Sequence, residues 1–227
     1  MFTVRVLKNY KNMLQEPVRI VEETVVNRGS GAGGANTNKN GKAYEESTCF
    51  EKLICDEEWE KKILDKKTKY GHYWVKITDT CRIVKISQGG LKKFVEKFYP
   101  GQTRCPIFRC PDEAYFIIPH DQSKRTILKI LEKKSQHRKG SVDTKILAAP
   151  GFIKEYEKVF LHKLDIQYAF NLNSWWKHEF EQKKDKWDIA LENLHEINVP
   201  IFFGEDKNYK QMLNDWICSF NFTDINV

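Results

Sequence analysis

No apolar run in the 227 residues approaches membrane-spanning length. The opening residues, which include Arg5, Lys8, Asn9 and Lys11, lack the continuous apolar core of a signal peptide. A soluble, cytoplasmic protein without membrane contact is the expectation. The six cysteines (Cys49, Cys55, Cys81, Cys105, Cys110 and Cys218) form no CxxC pair, which argues against a zinc ribbon or disulfide framework and for reduced thiols. His72 and His120 have no partner at metal-ligand spacing, so both read as solvated or hydrogen-bonded side chains. A P-loop is also missing: before Gly41-Lys42 the earlier glycine position holds Asn36, and Ala43 replaces the hydroxyl residue. No nucleotide cofactor is expected. Internal repeats are absent, and Asn221-Phe222-Thr223 matches a glycosylation acceptor that means little without a secretory route.

Core-forming residues, by contrast, are plentiful. Hydrophobic residues make up 41% of the chain and aromatics 13%, too many for a disordered polypeptide. The length suits one α/β domain spanning 1–227. Net charge is +7, with lysines clustered at 66–67, 92–93, 133–134 and 183–184. That balance suits a polyanionic partner, and equally a solvated basic surface; only its distribution discriminates.

The stretch 29–41 holds five glycines and three asparagines with almost no core former, and reads as a loop. Apolar positions from Tyr44 through Phe50, Leu53 and Ile54, continuing to Trp59 and Ile63, predict a helix after it. A strand or hairpin is expected over 73–86, then a short helix over 91–99 stopped by Pro100-Gly101. Two strands, 114–118 and 126–134, flank a turn and form the expected centre of the sheet. Beyond them the pattern predicts helix over 141–160, strand at 166–170, helix over 175–194, a brief strand at 200–203 and a closing helix over 209–220.

The chemistry concentrates on the central pair. With a strand period of two, Leu128, Ile130, Glu132 and Lys134 share one face, so a core-facing apolar row ends in a carboxylate and an ammonium. Asp112, at the start of the adjacent strand, brings a second carboxylate. Two neighbouring carboxylates repel unless a cation joins them, and hard oxygen ligands suit Mg²⁺. Lys134 would orient or help deprotonate an attacking water and stabilise charge on phosphorus. Such a set serves metal-assisted phosphodiester hydrolysis.

Pro111-Asp112, nineteen intervening residues and then Glu132-Lys133-Lys134 resemble the PD-(D/E)XK motif of many nucleases. The extension Glu132-Lys133-Lys134-Ser135-Gln136, the segment 140–145 and the glycine-asparagine block 33–45 are similar to a subset of type II restriction endonucleases, over roughly 29–160. The resemblance implies a restriction-endonuclease-like mixed central sheet flanked by helices. It also implies Mg²⁺-dependent cleavage of double-stranded DNA at a short specific sequence, and a homodimer. Catalytic and metal-binding roles would fall to Asp112 and Glu132, with Glu45 as the first-helix acid (Glu46 its nearest competitor) and Lys134 catalytic. The loop 29–41 would contact DNA through Asn36, Asn38 and Lys39, and Gln136, Arg138 and Lys145 would approach phosphates, as His137 and Lys139 also could.

Structural alternatives stand beside each of these. Asp112 after proline fits a turn cap, Glu132 and Lys134 a strand-edge ion pair, and the glycine stretch a plain linker. Trp175-Trp176 and Trp187 would stack on bases or, more commonly for tryptophans at helical spacing, fill core. At the level of function, a non-specific or structure-specific repair nuclease and a non-catalytic basic DNA-binding module remain open.

Overall fold

The computed structural model describes residues 35–137 and 142–225, with side chains from Gly41 onward. Among these residues seven strands form one sheet in sequential order: β1 (Glu60–Ile63), β2 (His72–Ile77), β3 (Cys81–Ser87), β4 (Glu113–Pro119), β5 (Ile127–Lys134), β6 (Asp165–Leu172) and β7 (Ile201–Phe203). The first five make an antiparallel meander; β5–β6 and β6–β7 are parallel. The chain is therefore an α/β protein with a mixed sheet, and β4 and β5 lie at its centre as the sequence pattern predicts.

The parallel pairs require crossovers, and helices supply them. Between β5 and β6 run α4 (Val142–Leu147) and α5 (Ala149–Val159), the latter with Pro150 in its first turn, where a missing N–H costs nothing. Between β6 and β7 run α6 (Ser174–Gln182) and α7 (Lys184–Glu196). Their residues Ile146, Tyr156, Trp176, Trp187 and Leu194 pack with α3 (Gly90–Phe98) against Phe116, Leu128, Ile130 and Phe170. The opposite face carries Tyr115, Ile117, Ile127 and Leu131, covered by Phe50, Trp59 and α8 (Tyr209–Cys218) through Tyr209, Leu213 and Ile217. Helices thus flank the sheet on both sides. No helix among the described residues is long and apolar enough to cross a membrane, and all six cysteines are free thiols.

Two local expectations are corrected. The predicted loop over 29–41 is helical from residue 35, where α1 (Ala35–Ser47) begins; residues 29–34 lie outside the described set. Composition argued for a loop, but Tyr44 anchors the helix in the core by donating its hydroxyl to Asn171 Oδ1 (2.8 Å). Nothing lies within 4 Å of a Cβ at Gly41, so no close approach requires that glycine. The helix predicted from 42 to 63 also breaks. A one-turn α2 (Phe50–Leu53) follows α1, and 60–63 is the edge strand β1. Asp56 explains the break, because its carboxylate accepts the Glu58 N–H (3.0 Å) and forms a turn in place of the next helical turn.

Candidate active site

The antiparallel register pairs Glu113 with Leu131 and Ala114 with Ile130. One step further out, Asp112 lies opposite Glu132. Proline at 111 has no N–H to extend the ladder, and its carbonyl accepts from Gln88 N–H (3.0 Å). The Asp112 side chain takes over the pairing instead, its Oδ2 accepting the Lys133 N–H at 2.7 Å. That bond fixes the carboxylate at the strand end. The Lys134 ammonium then lies between the two acids, 3.0 Å from Asp112 Oδ2 and 2.6 Å from Glu132 Oε2. The three residues that the sequence singled out therefore meet at the end of the central strands, partly buried.

Their electrostatics are mutually dependent. Burial raises the Glu132 carboxyl above its ordinary range; Lys134 pulls it down and the Asp112 charge pushes it up, leaving it raised. Burial alone would lower the Lys134 ammonium, but Glu132 and Asp112 hold it above the usual lysine value. Lys134 is accordingly a firmly protonated cation in this arrangement, suited to stabilising charge and not to abstracting a proton.

Glu45 approaches from α1. Burial raises its carboxyl and the Asp112 charge adds to the shift, opposed by Lys134, Lys133 and Lys42, which places it within the field of the strand-end cluster. Glu46, one position on, is exposed. Glu45 Oε2 also accepts a long hydrogen bond from Gln88 Nε2 (3.4 Å). Gln88 escaped the sequence reading. It follows β3, carries φ 39°, and is one of the few non-glycine residues here with left-handed backbone. Such conformations cost free energy and gather at functional sites. A polar residue between a strand and Gly89-Gly90 was the available signal.

The remaining sequence candidates fall in different places. Gln136 is buried just past β5, its backbone clamped by Asn173 (N–H to Oδ1 and Nδ2 to O, both 3.0 Å). Lys145 is exposed on α4, and His137 is exposed beside Ser135. Asn36, Asn38, Lys39, Arg138 and Lys139 lie outside the side chains described.

Lys133 is the middle residue of the Glu132-Lys133-Lys134 motif. It points to the other face and is buried (3% exposed), its Nζ donating to Glu113 Oε1 and to Thr48 O, both at 2.7 Å. Glu113 is 2% exposed and also accepts the Phe50 N–H (2.9 Å) and the Tyr115 hydroxyl (2.5 Å). Lys85 and Glu51 extend the network at 2.6 Å. Alternation along the strands thus puts Asp112, Glu132 and Lys134 at the partly open corner, while Glu113 and Lys133 rivet β4, β5 and the α1–α2 segment together beneath it.

As a cation site, the corner offers oxygen donors only. Among the described residues no three His, Cys, Asp or Glu side chains form a group able to hold a metal ion. Mg²⁺, however, is commonly held by one or two carboxylates, with waters and substrate phosphate completing the shell. Asp112 and Glu132, which share one ammonium, match that donor chemistry. Comparison of the chain with protein-family models, with curated proteins and with solved structures finds no match.

Proposed function

We propose that this protein is a Mg²⁺-dependent endonuclease of the PD-(D/E)XK type acting on double-stranded DNA. The observation that carries the reading is the meeting of Asp112 and Glu132 on the Lys134 ammonium, at 3.0 and 2.6 Å, where the central strands end. Bound Mg²⁺ would supply Lewis-acid charge and a more acidic water. Asp112 and Glu132 would hold it, Asp112 kept in place by the Lys133 N–H. Lys134, protonated and freed from its carboxylate partners as the cation takes them over, would donate to the scissile phosphate and offset its growing negative charge. Glu45 would orient the attacking water. A restriction-endonuclease-like fold, cleavage at a short specific sequence and a homodimer that cuts both strands belong to this proposal through the motif resemblance and the +7 charge.

The test is digestion of a supercoiled plasmid with Mg²⁺ and with EDTA, beside Asp112→Asn and Lys134→Met. Expected are discrete Mg²⁺-dependent bands, loss of cutting by at least about a hundredfold in both variants, and retained DNA binding. A smear in place of bands would replace site specificity with a general nuclease; wild-type cutting by both variants would overturn the site. One observation favours a second reading. Both acids are already paired with Lys134, as in a structural ion triad, so the chain would then be a non-catalytic DNA-binding module. That reading requires salt-sensitive binding with no metal-dependent product at any protein concentration.

A further inference from the structure

Among the described residues, the non-glycine positions with left-handed backbone are Gln88, Leu161, His162 and Asn198. Three of them are explained by their place. Leu161 and His162 follow the end of α5 and Asn198 follows the end of α7, where a left-handed residue is a common way to close a helix. Gln88 instead follows a strand and precedes a helix, so helix termination does not account for its φ of 39°. Glycine adopts such a φ without steric cost, and Gly89 and Gly90 come next in the chain. Neither of them carries the left-handed turn, which falls on a residue with a long amide side chain.

Both peptide groups of Gln88 are tied. Its N–H donates to the Pro111 carbonyl, and its own carbonyl accepts the Leu91 N–H at the start of α3, both at 3.0 Å. With the chain pinned on either side, the sign of φ sets the direction in which Cβ leaves the backbone. The side chain then reaches Glu45 on α1, Nε2 donating to Oε2 at 3.4 Å. Register puts this pair beside the acids. Ser87 pairs with Glu113 across β3 and β4, so one step further out Gln88 lies opposite Asp112, which in turn lies opposite Glu132. Gln88, Asp112 and Glu132 therefore occupy one row across the ends of three adjacent strands. Asp112 is fixed to the sheet by the Lys133 N–H, whereas Glu45 stands on a helix outside the ladder and has Gln88 as its hydrogen-bond donor.

We propose that Gln88 is a positioning residue for cleavage: its side-chain amide holds the Glu45 carboxylate at the end of the Asp112–Glu132 row, and the left-handed backbone at 88 aims that amide. The proposal rests on the nuclease reading of the corner. The strain at 88 then serves placement and not the fold, so relieving it favours the folded chain and weakens the site.

Gln88→Gly separates the two effects. Glycine relieves the backbone and removes the amide, so the melting temperature of the full chain should hold or rise by about 2 °C. In the same variant kcat for Mg²⁺-dependent plasmid cleavage should fall about tenfold with KM unchanged. Because Gln88 acts through Glu45, Gln88→Gly should cost no further activity in a Glu45→Gln chain. A second arm needs no cleavage. Gln88→Met, which keeps the length and loses the donor, should lower the urea midpoint of the wild type and leave that of Glu45→Ala unchanged. Full activity in Gln88→Gly, a melting temperature that falls together with kcat, additive losses in the double variant, or equal midpoint shifts in both backgrounds would overturn the proposal. Coupled midpoints without any cutting by the wild type would refute the nuclease reading and leave the Gln88–Glu45 bond standing; cutting that Gln88→Gly leaves intact would do the reverse.

Discussion

Replacing Lys133 with methionine tests the logic of the fold beneath the site most directly. Lys133→Met keeps most of the aliphatic stem but leaves Glu113 buried with its main ammonium partner gone; Phe50 N–H and the Tyr115 hydroxyl remain as donors. Removing one member of a buried pair costs on the order of 3–5 kcal/mol, because the other charge is left uncompensated. Against a typical total of roughly 5–15 kcal/mol, that is a large share of the stability. The acid dependence should change as well. In the wild type, burial pushes the Glu113 carboxyl up, but Lys133, Lys85 and the hydrogen bonds outweigh it and hold the group below its ordinary range. Its contribution is then complete above the unfolded value of about 4.3 and is lost as pH falls through the lower folded value. Without Lys133 the burial effect dominates, so the variant should gain relative stability on acidification where the wild type loses it. The assay is urea denaturation followed by tryptophan fluorescence between pH 3 and pH 8. Glu113→Gln combined with Lys133→Met should recover most of the loss, since the charge is gone while an amide oxygen can still accept from Phe50 N–H or the Tyr115 hydroxyl. A single-variant cost below about 1 kcal/mol, or a double variant no better than either single one, would refute the claim that this pair locks the strands.

Two further outcomes follow from packing and burial. A Cβ at Gly204 would lie 2.5 Å from Thr48 Cγ2 and 2.6 Å from the Tyr44 hydroxyl, so Gly204→Ala should cost about 1–3 kcal/mol. It should also lower plasmid cleavage, because Tyr44 precedes Glu45 on α1; unchanged melting and cutting would contradict that close approach. Lys129 is fully buried, and its ammonium donates to the Ser219 carbonyl (2.6 Å) and to that of Trp216; burial pushes it down to about 8. Because the unfolded lysine titrates near 10.4, the folded state sheds the proton first, and stability should rise with pH between about 8 and 10.4 by roughly 3 kcal/mol. Lys129→Met should abolish that slope in denaturation curves; the same slope in both proteins would show that Lys129 is not its source.

The sequence by itself determined the central hairpin, the α/β class and the company of Asp112, Glu132 and Lys134, because a period of two and an antiparallel turn are local properties. It also determined the helix expected over 91–99, found at 90–98, and the helical character of 141–160, which the structure divides into helices at 142–147 and 149–159. Tertiary structure decided the rest. A strand reads as one buried and one solvated face until something covers the second; here α8 and Phe50 do, which turns Lys133 and Glu113 into a buried ion pair and Lys129 into a buried ammonium held by backbone carbonyls. Helix α1 persists through a glycine-asparagine stretch because Tyr44 is anchored to Asn171, 127 residues away. Gln88 meets Glu45 only because β3 ends beside β4. Local pattern carries the spacing of the acids along the strands; long-range packing decides what surrounds them, and that surrounding sets their charge.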